Sequence, residues 1–212
     1  MKYLQTKILL FSIFLFGGLS FACGQEMDDS VTAEKVSFEE QLQTLEVLKG
    51  DDKAAQEKIL QEVGGNPDAY IPPILHRYAG SLFKKGKPKK GWFWHFVAEL
   101  RGRIDANLTT ADKAQQFVAF ISKMNAAMIN PEHNFKQLDQ LEKTVQKVVL
   151  YVRSHPVAYQ HDWLVQLLLK IEPSNAGEVK MKPKHQWAAI KQHTIDEYYK
   201  DFQNYVQTKQ KD

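Results

Sequence analysis

The densest run of chemistry-bearing side chains is WFWHFVAELRGRID, residues 92–105. His95 and Glu99 stand four apart, so on a helix they share a face. Two such donors can begin a metal site. A tetrahedral centre needs a third and a fourth ligand, and no HExxH pattern supplies them. The plainer expectation is a partly buried histidine hydrogen-bonded to a carboxylate, and no metal is assigned. Arg101, Arg103 and Asp105 follow. Cations near a helix C-terminus suit the helix dipole, and a guanidinium pairs bidentately with a carboxylate. Two readings stay open: an internal ion pair, with Glu99 as one partner, or a site for an anion or acidic partner joined by Trp92 and Trp94. Tryptophan and arginine are common interface anchors. The candidate binding set is therefore Trp92, Trp94, His95, Glu99, Arg101 and Arg103, and no catalytic residue is assigned.

A second cluster is KKGKPKK, carrying Lys84, Lys85, Lys87, Lys89 and Lys90. Five positive charges in seven residues repel one another and stay hydrated. The run reads as a solvated hairpin turn, with contact to an anionic membrane surface as its functional alternative. The other histidines are His76, His133, His155, His161, His185 and His193, and their spacings match no metal signature. No GxSxG elbow and no phosphate-binding glycine loop is present, and no cofactor is expected. Asn107-Leu108-Thr109 fits a glycosylation acceptor, which matters only in a eukaryotic host.

The single cysteine, Cys23, excludes an internal disulfide and any multi-cysteine cage. It ends a stretch with the three-part layout of a secretory leader: Lys2 and Lys7, an apolar run from Ile8 to Phe16, then small residues Ser20, Ala22 and Gly24. The run falls short of the ~20 apolar residues that span a bilayer. Three processing outcomes compete: cleavage before Cys23, cleavage before Gln25, and lipidation of Cys23. The third resembles the bacterial lipoproteins. Their lipobox places a leucine or similar residue three before the cysteine, where this chain has Ser20. The expected organisation is a signal peptide over 1–22, a polar tether over 23–36 and one all-α domain over 37–208. The destination is the periplasm or a lipid anchor on a bacterial membrane.

Losing Lys2 and Lys7 leaves 26 cationic residues against 25 acidic ones, so the net charge falls from +3 to +1. That balance gives no support to a whole-protein field for nucleic acid. The composition, 43% apolar and 25% charged, is that of a chain with a real core.

The elements that must position these residues follow from the apolar period. Phe38, Leu42, Leu45 and Leu48 recur at three or four residues behind the cap Ser37, and Gly50 stops that helix. Asp51 or Asp52 caps a second helix with Ala55, Ile59 and Val63. Gly64-Gly65-Asn66-Pro67 breaks the chain. A third helix is expected from about Asp68 to Lys85, with Pro72 and Pro73 in its first turn. A fourth runs from about Pro88 to Asn107. Thr110 starts a fifth (core candidates Ala114, Phe117, Val118, Ile121, Ala126 and Met128) that stops at Asn130-Pro131. Asn134 caps a sixth, with Leu138, Leu141, Val145, Val148, Val149 and Val152. A seventh covers about Asp162 to Lys170. The last spans about Lys184 to Gln207, using Trp187, Ile190, Ile195, Tyr198, Phe202 and Tyr205. No segment alternates over the length a half-buried strand needs. The expected fold is all-α, a bundle of antiparallel helical hairpins with about eight helices.

Residues 70–105 read as two helices joined by a tight turn, with small residues Ala79, Gly91 and Ala98 where antiparallel helices meet. With Leu82, and with Phe93 and Trp94 as bulky fillers, this spacing resembles one unit of a tetratricopeptide or Sel1-like repeat. Arg103 stands where such a unit usually closes on proline. The WFWHFVAELRGRID segment also looks like uncharacterised exported bacterial helical proteins. The repeat resemblance implies one solenoid-like unit and a protein-binding scaffold rather than a catalyst. The expected function is a non-catalytic binding or scaffold protein of the bacterial envelope, one version being an immunity-type protein that neutralises a toxin. Its partner would be another protein, with peripheral membrane contact as an addition and no nucleic acid. The alternative is an envelope hydrolase or metal-dependent enzyme using His95 and Glu99.

Overall fold

The computed structural model describes residues 36–127, 138–173 and 179–210. The leader, Cys23 and the tether before residue 36 lie outside these, as do Met128, Asn130, Pro131, His133 and Asn134. Among the described residues there are eight α-helices and no strand: α1 (Phe38–Lys49), α2 (Lys53–Gly65), α3 (Pro72–Lys84), α4 (Pro88–Asn107), α5 (Ala114–Ala127), α6 (Leu138–Ser154), α7 (Trp163–Ile171) and α8 (Trp187–Lys209). The fold is an all-α helical bundle, and these helices belong to one compact unit, Ala33–Asp212.

Local chemistry sets most boundaries. Ser37 and Glu40 form a reciprocal capping box at the start of α1, and the Gly50 amide closes its end on the Glu46 and Val47 carbonyls. Asp52 caps α2 through the amides of Ala54 and Ala55. The third helix starts later than the apolar period suggests. Pro67–Ala69 forms a separate 3-10 turn, and α3 begins at Pro72, where a missing amide costs nothing. Buried Gln41 fixes that junction: its side-chain amide donates to the Ala69 carbonyl at 2.7 Å and accepts from the Ile71 amide at 3.3 Å.

The fifth helix also departs from expectation, beginning at Ala114 rather than Thr110. The residues before it are used otherwise. Thr110 donates its amide to the Lys180 carbonyl and Leu108 accepts from the Lys182 amide, around an isolated bridge between Thr109 and Met181. A crossing seventy residues distant leaves no local signature. The valine-rich stretch at 145–152 is helical, with Val145, Val148 and Val149 buried in α6. A 3-10 turn, Lys184–Gln186, precedes α8.

The core centres on α3 and α4, the most extensively packed pair, around which α5, α6 and α8 gather. Ile74, Leu75, Val97, Ala98 and Leu100 are wholly enclosed, each large apolar side chain contributing ~1.5–3 kcal/mol relative to exposure. The close approach predicted from small residues is present. A Cβ on Gly91 would lie 2.9 Å from the Phe83 ring, so only glycine lets α4 pass there without displacing that ring. The hairpin turns on Gly86, whose φ of 67° suits glycine.

Candidate functional site

Helix α4 carries every member of the candidate binding set and sorts it into stripes. Successive residues rotate by about 100°. Trp94, Arg101 and Asp105 therefore share one side. Trp92, Phe96, Glu99 and Arg103 share nearly the opposite side. Gly91, His95, Ala98 and Gly102 lie between them and turn towards α3 and α5. The expectation of a single face bearing Trp92, Trp94, Arg101 and Arg103 is thus corrected: their spacing puts Arg101 and Arg103 about 200° apart.

The first side enters a buried polar network. The Arg101 side chain is 1% exposed and ion-pairs with Asp68 at 2.5 Å. Its Nη2 also donates to the His155 carbonyl at 3.3 Å, and its guanidinium lies over the Tyr151 ring at 5.4 Å. The Tyr151 hydroxyl donates to the same Asp68 oxygen at 2.8 Å. Burial first, then the Asp68 bond and charge, push the Tyr151 hydroxyl up to about 12 against the opposing pull of Arg101. Nε and Nη1 of Arg101 are buried without a partner among the described residues. Arg101 is therefore an internal cation. It cannot serve as an exposed anion site, and its partner is Asp68 rather than Glu99.

One turn further, fully enclosed Asp105 accepts from three side chains: Tyr159 at 2.9 Å, Trp163 Nε1 at 2.7 Å and His161 Nδ1 at 2.5 Å. Burial and then the Asp105 charge hold the Tyr159 hydroxyl well above its ordinary range. A carboxylate orienting a histidine is one half of a hydrolytic triad. Here His161 packs edge-on against Tyr159 and Trp187 at 5.8 and 5.4 Å, and among the described residues it bonds no hydroxyl nucleophile. The three donors all come from the 159–163 segment, so Asp105 pins the connection between α6 and α7 to α4.

His95 and Glu99 share a face of α4 but take different partners. His95 is buried beside His76, the ring centroids 4.9 Å apart, and its ring meets Trp92 and Phe96 edge-on. Burial lowers both histidines. His76 falls to about 3 with help from the His95 charge, while Glu99 partly offsets the drop at His95. Glu99 spends its carboxylate on Arg103 at 2.9 Å and on the Tyr198 hydroxyl at 3.3 Å. Among the described residues, no group of three or more His, Cys, Asp or Glu side chains could hold a metal ion. Trp92 and Trp94 are half-buried. Trp92 stacks on Phe96 and meets Phe83 edge-on, while Trp94 sits edge-on against Tyr78 and Tyr151. Both pack against aromatic neighbours within the bundle.

What remains open is a groove between α4, α6 and α8. It has a volume of about 430 Å³ and is lined by Phe96, Glu99, Arg103, Leu141, Tyr198, Asp201, Phe202 and Tyr205. The Arg103 side chain is 38% exposed and lies over the Tyr198 ring at 5.1 Å. Burial, then the Glu99 charge, raise the Tyr198 hydroxyl well above its ordinary range, and Arg103 pulls the other way. Tyr205 is 50% exposed at the groove's edge. The aromatic side of the last helix, with Tyr198, Tyr199, Phe202 and Tyr205, reads from sequence either as core packing or as an exposed groove filler; Tyr198 is buried, while Phe202 and Tyr205 line the groove with it. A second hollow, about 530 Å³, lies between α5 and α7 and includes Phe117, Phe120, Leu168 and Ile171. The lysines of the KKGKPKK run sit at the exposed α3–α4 turn, where Lys85 pairs with Glu57 at 2.5 Å. Asn107 of the acceptor motif donates to Thr194 at 2.9 Å and accepts from Gln115 at 2.6 Å, so its amide serves packing.

Comparison with known protein families, with curated proteins and with solved structures returned no match. The class that fold and site define is therefore a structural one: an all-α bundle with an internal polar network and an open aromatic groove.

Proposed function

We propose that this chain is an exported, non-catalytic helical binding protein of the bacterial envelope, and that the groove between α4, α6 and α8 is its binding face. The observation carrying this reading is the groove's make-up. It combines half-exposed Tyr205 and an arginine, residue types enriched in binding hot spots, with an apolar lining of Phe96, Leu141 and Phe202. Its polar centre sets Glu99 and Asp201 against one cation, Arg103, leaving an excess negative charge. The fitting partner is a protein segment, most simply an amphipathic helix, that offers apolar side chains and one lysine or arginine. Neutralisation of an incoming toxin is one version of this reading. The leader pattern read over residues 1–22 supports the exported location.

The test is site-specific photo-crosslinking in cells expressing the full chain, with the probe at Tyr205 and, separately, at Phe120. The reading expects one discrete adduct from position 205, lost on Asp201→Lys. Adducts from position 120 alone would move the site to the α5–α7 hollow and overturn the assignment.

A further inference from the structure

We propose that the α3–α4 turn is an electrostatic docking point for an anionic lipid surface. This goes beyond the groove reading and stands or falls without it. Lys84, Lys87, Lys89 and Lys90 are all exposed, and among the described residues no ion pair engages them; only Lys85 is neutralised, by Glu57. The turn that carries them is stiff. The Gly86 amide donates to the Phe83 carbonyl at 3.0 Å and the Lys87 amide to the Leu82 carbonyl at 2.9 Å. Behind it, Phe83 and Trp92 lock the two helices edge-to-face at 5.3 Å. Four exposed lysines are thus carried on one turn of the bundle.

For three of the four the placement is electrostatically costly in isolation; Lys84 lies in the last turn of α3, where the dipole favours a cation. Lys89 and Lys90 lie in the first turn of α4 and Lys87 immediately precedes it, where no acidic residue offsets them. That is the positive end of the helix dipole, where anions are favoured and cations are not. An external negative surface relieves both terms at once. The side-chain type narrows the surface. The chain has four arginines, Arg77, Arg101, Arg103 and Arg153, and none is in the turn. Arginine forks suit defined carboxylates and phosphates, whereas lysine is a hydrated point charge. An all-lysine apex with no aromatic side chain among residues 84–90 suits a diffuse layer of headgroups better than a shaped acidic protein. Each lysine near such a surface adds a factor of about five in partitioning.

The experiment uses protein isolated from expressing cells, its N-terminus read by mass spectrometry, and co-sedimentation with vesicles of phosphatidylglycerol–phosphatidylcholine or of phosphatidylcholine alone. The expected result is a preference for the anionic vesicles that falls by about 10²–10³-fold when Lys84, Lys87, Lys89 and Lys90 are all changed to Gln. Added salt should weaken it in parallel. A control with Lys58, Lys123, Lys143 and Lys147 changed to Gln has the same net charge and should retain most of the preference. A loss below about fivefold in the turn variant, or an equal loss in the control, overturns the proposal. Tighter binding to polyglutamate than to the vesicles, at equal charge concentration, would reassign the turn to an acidic protein.

Discussion

Arg101 and Arg103 stand two residues apart on one helix and live in different media. Arg101 is enclosed with Asp68, Tyr151 and the His155 carbonyl; Arg103 lies half in solvent across Glu99 and Tyr198. The 200° that separates them on α4 decides which interactions count. A buried ion pair is costly to break because its survivor keeps an uncompensated charge in a poor solvent. A pair near the surface shares its charges with water and is worth a few tenths of a kcal/mol. The inner side of α4 therefore holds the fold, and the outer side leaves Arg103 partly in solvent.

The largest expected effect falls on the inner side. Asp105→Leu strands the donors of Tyr159, Trp163 and His161, each buried donor costing about 1–3 kcal/mol. A loss on the order of 4 kcal/mol is expected in urea unfolding. Asp105→Asn keeps an acceptor and should lose less. Equal losses in the two variants would show that the carboxylate's charge, rather than its accepting oxygens, is what the network needs.

Next comes the acid response of the inner histidines. In the folded chain burial holds His76 at about 3, below the ordinary 6.5 of a histidine. Between those values the unfolded chain binds more protons, so stability is full above pH 6.5 and falls as pH drops towards 3. The slope from His76 alone approaches ~1.4 kcal/mol per pH unit, and lowered His95 adds in the same direction. Urea midpoints at pH 7 and pH 5 check this, and His76→Leu should flatten the difference. An unchanged difference would place the acid sensitivity elsewhere.

The smallest stability effect belongs to the outer side. Tyr205→Ala should change the unfolding free energy by less than ~1 kcal/mol, as surface substitutions do. The same change should weaken partner binding at least tenfold, as loss of a hot-spot aromatic does. A binding titration beside a melt separates the two. Large destabilisation with unchanged binding would return Tyr205 to a packing role.

Much of the fold was legible in the sequence because its causes are local. Ser37, Asp52, Gly50 and the proline pair at 72–73 set helix ends through bonds within a few residues, and the period in α6 overrode the strand preference of its valines. The late start of α5 was hidden because its cause is a crossing with residues 180–182. The site was less legible for the same reason. Helical spacing does place Arg101 opposite Arg103, yet which side faces the interior depends on Asp68, Tyr151 and the 159–163 segment, none of them adjacent in sequence. Tyr159 and His161 carry no pattern of their own; only Asp105, more than fifty residues earlier, explains them.

The central claim is that α4 separates structural from available charge, and paired equilibrium unfolding of Arg101→Met and Arg103→Met tests it most directly. The account expects Arg101→Met to lose about 3–5 kcal/mol and Arg103→Met less than ~1 kcal/mol. Equal losses, or a greater loss at Arg103, would contradict it.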